Sequence, residues 1–175
     1  MRPAASVAGK GSFRGYWEVY GGLPSLLRST YFWVAIVITM AAYPFWSKPD
    51  ADENWAWVNL TLSVVPSLLG FAVGGMAIML AFSSGKFLEA IRQKGKNNSY
   101  FMKVISAFFH FTLVLVLAIV VALIGKAFPN IYISALGFFT TIYGVLLAVA
   151  TIDHLWQTAM IFNKARDQGD NENNS

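Results

Sequence analysis

The sequence predicts an all-α, polytopic membrane protein of four transmembrane helices, assembled as a homo-oligomer. Three observations carry the transmembrane assignment. Of the 175 residues 56% are hydrophobic and only 13% are charged, against about 25% charged in soluble domains. Four apolar stretches reach or approach the roughly 20 residues that cross about 30 Å of hydrocarbon. The basic residues, finally, fall very unevenly on the two sides that these stretches define. A mean hydropathy of +0.52 agrees, and the length suits one compact unit.

Residues 1–29 read as a cytoplasmic or interfacial segment. No apolar run precedes Leu23, so a cleaved signal peptide is not expected and Met1–Arg28 is expected to be retained. Phe13, Tyr16, Trp17, Val19 and Tyr20 beside Arg14 suit a segment at headgroup level, where Trp and Tyr concentrate. The four-helix domain follows over 30–163. Its first span starts near Pro24, where a missing N–H costs nothing in a first turn, and runs to Trp46. The second covers Trp55 to Phe82, the third Val104 to Phe128 and the fourth Ile131 to Leu155. Only Pro129–Asn130 separates the last two, which therefore form a tight antiparallel hairpin. A cytoplasmic loop at 84–103 joins the middle pair. Phe87, Leu88 and Ile91 continue a helical spacing there and extend the second helix past the membrane. Residues 164–175 are polar without apolar period and read as a disordered tail.

Direction follows from charge. With the N-terminus inside, Arg2, Lys10, Arg14, Arg28, Lys86, Arg92, Lys94, Lys96, Lys103, Lys164 and Arg166 are cytoplasmic, and only Lys48 and Lys126 are outside. Eleven against two fixes both termini in the cytoplasm. Asp50, Asp52 and Glu53 fall in the first external loop, with Trp46, Trp55 and Trp57 expected as interface anchors. The net charge of +4 follows this topology and needs no nucleic-acid partner.

Two stripes of small residues are the most informative pattern. On the second span Ser63, Ser67, Gly70, Gly74, Ala77 and Ala81 fall on one line, and Gly70–Gly74 is a GxxxG motif with Gly75 beside it. On the fourth, Ser134, Gly137, Thr141, Gly144, Ala148 and Thr151 do the same. Small residues let helix backbones approach closely in lipid. Two readings stay open: plain helix packing, within one chain or between copies, or a face on a water-filled path in an oligomer, with Thr140 and Thr158 also lining it. Pro66 interrupts the hydrogen bonding of the second span beside Gly70 and is a candidate hinge.

Ionisable residues in the bilayer are costly and default to functional candidates. Lys103, Ser106 and His110 share a face of the third span, and the hairpin brings Asp153 level with Val104, so these four residues form a candidate polar cluster. The plain alternative has a neutral His110 bonded to a neighbouring hydroxyl and Asp153 at headgroup depth. Lys86, Arg92, Lys94 and Lys96 could bind anionic lipid or a cytoplasmic protein, or could serve topology alone.

The absence of cysteine excludes disulfides and thiolate chemistry. No nucleophile elbow or H-E-x-x-H motif occurs, SSGK at 83–86 lacks the spacing of a phosphate loop, and no cofactor or enzymatic activity is expected. The run from Pro66 to Ile91, PSLLGFAVGGMAIMLAFSSGKFLEAI, resembles the second helix of small four-helix bacterial membrane proteins of defence loci, of the type of the Kiwa membrane component. The resemblance implies an oligomeric inner-membrane sensor or effector whose basic cytoplasmic surface meets a soluble partner, and it transfers no functional residue. The leading expectation is accordingly a channel-like effector or sensor. A non-conducting anchor that recruits a partner through the basic loop, or a small secondary transporter, are the alternatives. The transporter lacks an acidic residue at the bilayer midplane.

Overall fold

A computed structural model describes residues 12–49, 55–81 and 99–172, which are all helical or in short connections. The helices are α1 (Ser12–Tyr20), α2 (Gly22–Arg28), α3 (Thr30–Ala41), α4 (Tyr43–Trp46), α5 (Ala56–Ala81), α6 (Tyr100–Ala127) and α7 (Ile131–Glu172). Among them α5, α6 and residues 131–160 of α7 are long and apolar enough to cross a membrane, and α2 with α3 makes a fourth if that bent pair is one span. The outside of the bundle is apolar: Val37, Met40, Ile78, Leu123 and Val149 are all more than half exposed. Such a continuous apolar jacket is suited to lipid and not to water.

The α6–α7 hairpin forms as the sequence predicts. The Asn130 side chain accepts from the Tyr132 N–H at 2.8 Å and so starts α7 directly after Pro129. Antiparallel register then sets Leu115 against Gly144, and Tyr100 donates to the His154 carbonyl near the other end. Ser99 caps α6, accepting from the Met102 N–H, so the third span begins four residues before Val104.

The first span differs most from expectation. It is not one helix from Pro24 to Trp46 but three pieces, with a 59° bend between α2 and α3 at the extended Ser29 and a second break at Ala42. A break in a membrane strands backbone carbonyls, which cost several kcal/mol each if unpaired (~1–3 by protein mutational data). Two indoles meet that demand here. Trp33 Nε1 donates to the Leu27 carbonyl at 2.8 Å, and Trp46 Nε1 donates to the Thr39 carbonyl at 2.7 Å. Pro44 lies in the first turn of α4 and accounts for the second break. Leu26 and Leu27 continue the apolar run across Ser29, which is why hydropathy alone reads through the first.

One other expectation shifts. Trp57 and Trp46 are turned into the bundle, 0% and 8% exposed, and do not serve as outward interface anchors. The backbone of α7 is helical to Glu172. An established helix needs only one residue fixed per added bond, and no proline interrupts 131–172. The continuation of the second span past Phe82, the loop residues Lys86, Arg92, Lys94 and Lys96, and Asp50, Asp52 and Glu53 lie outside the described residues.

Candidate functional site

The two small-residue stripes have opposite fates. That of α7 is filled from within the chain. Trp57, from α5, lies between α6 and α7: a Cβ added at Gly125 would come within 2.7 Å of its ring, and one at Gly137 closer still. Trp57 Nε1 also donates to the Ser134 hydroxyl at 3.0 Å. Two turns along, Leu115 fills the space over Gly144, where a Cβ would meet it at 2.9 Å. Thr141 and Ala148 are buried on the same face, and Thr141 meets Thr61 of α5 at 2.7 Å between hydroxyls.

On α5 the stripe faces outward. Ser63, Ser67, Gly70, Gly74 and Ala77 are exposed, and a Cβ at Gly70 or Gly74 would find nothing within 4 Å. Gly75, one residue on, faces the other way, where a Cβ would meet Phe108 at 2.8 Å. The GxxxG pair is therefore unused by the chain's own helices. Pro66 is exposed on the same side, within a helix that continues through it. It has no N–H for the Leu62 carbonyl, so that carbonyl loses its usual helical donor. The Ala81 side chain lies outside the described residues.

Hydroxyls on the buried faces are satisfied locally. Thr61, Thr140, Thr141, Thr151 and Thr158 each bond a carbonyl three or four residues earlier in their own helix. This arrangement meets the demand of lipid for internal pairing and leaves Thr140, Thr141, Thr151 and Thr158 packed inside one chain.

His110 is the second focus. It is 5% exposed, and both ring nitrogens are engaged: Nδ1 lies 2.6 Å from the Tyr16 hydroxyl and Nε2 lies 3.2 Å from the Tyr143 hydroxyl. A neutral imidazole donates through one nitrogen and accepts at the other, and phenols supply either role. Tyr20 stacks on the imidazole with ring centroids 4.1 Å apart, and Tyr16 packs edge-on against Phe109 at 4.7 Å. Burial and the neighbouring Tyr20 hold the Tyr16 phenol above the ordinary tyrosine range, and burial raises Tyr20 against an opposing hydrogen bond with Tyr143. Both phenols are thus neutral hydrogen-bonding groups at physiological pH. Beside them a cavity of about 140 Å³ is lined by Tyr16, Trp17, His110, Leu113, Val114 and Leu117.

The predicted polar cluster is not gathered around His110. Ser106 is buried but donates to the Lys103 carbonyl, Lys103 itself is exposed, and the exposed Asp153 accepts from Gln157 at 2.8 Å. The residues that do surround the histidine, Tyr16, Tyr20 and Tyr143, come from α1 and α7. The aromatic content of residues 13–20 was the one available signal, and it gives no address on α6. No family model, curated protein or solved structure matches the chain.

Proposed function

We propose that the protein is a homo-oligomeric membrane protein, with both termini cytoplasmic, that acts as a channel-like effector or sensor and not as an enzyme. The observation that carries this reading is the contrast between the stripes. The small residues of α7 are covered by Trp57 and Leu115 of the same chain, whereas Gly70 and Gly74 of α5 have open space before them. In lipid, close backbone approach is the main source of helix association, and a GxxxG pair facing lipid forgoes it. A second copy meeting α5 uses that face and brings Ser63, Ser67 and the proline-freed carbonyl of Leu62 to the contact. Copies arranged around an axis with α5 innermost place these polar groups along a central path. The bias of eleven basic residues to two supports the orientation. The setting we propose, a bacterial inner membrane and a role in antiphage defence, rests on the sequence resemblance alone.

Reconstitution into liposomes with a flux assay tests the conducting reading. The purified oligomer is expected to pass ions, with Ser67→Ala, which removes the hydroxyl and keeps the residue small at the contact, reducing the flux while assembly size is unchanged. An intact oligomer that passes no current at any pH or voltage overturns conduction.

A further inference from the structure

We propose that α1 is a releasable latch, docked on α6 and α7 around His110, whose undocking uncovers that histidine. The contact lies within a single chain, and the inference does not rest on assembly through α5.

Three features support a latch over a fixed part of the bundle. First, α1 is jointed twice to the first span. Gly21 and Gly22 both hold left-handed backbone conformations, with φ of 96° and 66°, and the α2–α3 bend follows at Ser29. Left-handed glycines occupy a region that residues with a Cβ rarely adopt. Second, the docking is aromatic: Tyr16 and Tyr20 meet His110 directly, and Tyr20 also bonds the Tyr143 side chain of α7. Third, His110 joins three elements at once: its ring is carried by α6 and bonded to α1 through Tyr16 and to α7 through Tyr143. Release of α1 therefore removes one of the two bonds that fix the ring, while the Tyr143 bond still holds it to α7. A buried polar group partnered by one movable element gives two discrete states, the usual basis of a switch. In the released state His110 becomes open to water or to a ligand from the cytoplasmic side.

The cysteine-free chain permits site-specific spin labelling without background. Gly15→Cys on α1, whose Cβ meets nothing within 4 Å, and Ala159→Cys, exposed on α7, report the position of the latch. Val116→Cys with Val149→Cys, both outward, report the α6–α7 packing. Pulsed electron resonance on the reconstituted full chain is expected to show one dominant distance for the first pair. His110→Phe shifts weight to longer distances, and Tyr16→Phe does so less, by about fivefold in the docked-to-released ratio for one bond lost. Because His110→Phe risks disturbing the bundle, Tyr16→Phe combined with Tyr20→Leu changes α1 alone. Longer distances for the first pair, with the α6–α7 pair unmoved, support the latch. An unchanged first-pair distribution in that double variant overturns it, as does movement of both pairs together, which makes α1 an integral part of the bundle.

Discussion

Gly137→Leu is expected to abolish the folded, detergent-stable protein. The indole of Trp57 is fully buried directly over this glycine and bonded to Ser134. A leucine needs the space the ring occupies, and the ring has no vacant direction, since Gly125 of α6 bounds it on another side. Overpacking a filled core costs about 1–3 kcal/mol and occasionally more, and displacement of the indole adds a lost hydrogen bond of ~1 kcal/mol. Thermal unfolding in detergent, with the α-helical signal as readout, checks this. Gly137→Ala is expected to lower the midpoint with the fold retained. Trp57→Phe combined with Gly137→Ala recovers part of the loss, because the smaller ring vacates the position of the new methyl group.

The double substitution Gly70→Leu and Gly74→Leu is expected to do the reverse: leave the single chain folded and reduce its assembly to smaller particles. Within the chain both new side chains enter open space, and leucine is a better helix former than glycine, which falls ~0.8–1 kcal/mol per residue below alanine. Monomer stability should be unchanged or raised. Between chains, the same side chains hold two backbones apart where glycine allows contact. Particle mass in detergent or nanodiscs, measured beside the thermal midpoint, separates the two effects. Loss of folding would show that α5 packs inward at Gly70 and Gly74. An unchanged mass would show that this face makes no subunit contact.

Hydropathy and spacing made the existence and approximate places of the last three spans legible, together with the hairpin at Pro129. These depend on local apolar period and on a connection too short to permit another arrangement. What spacing does not encode is which residue from elsewhere fills a stripe. The lines of small residues on α5 and α7 look alike in sequence, and Trp57 and Leu115, from other helices, make one of them internal. The same holds for His110, whose partner Tyr16 lies 94 residues away. A capped break is also invisible to hydropathy, because the indoles that take up the Leu27 and Thr39 carbonyls are themselves apolar enough to read as span. The pair Gly21–Gly22 was in view as composition, yet its role as a joint appears only with its backbone angles.

Intermolecular disulfide formation by single cysteines in native membranes tests the account most directly. Gly74→Cys lies on the outward face of α5, and Val116→Cys and Val149→Cys lie on lipid-exposed faces of α6 and α7. Contact between copies through α5 predicts rapid oxidation to a covalent dimer for Gly74→Cys and slow, diffusion-limited crosslinking for the other two. Equal crosslinking at all three positions, or faster crosslinking at Val116 or Val149, would contradict it.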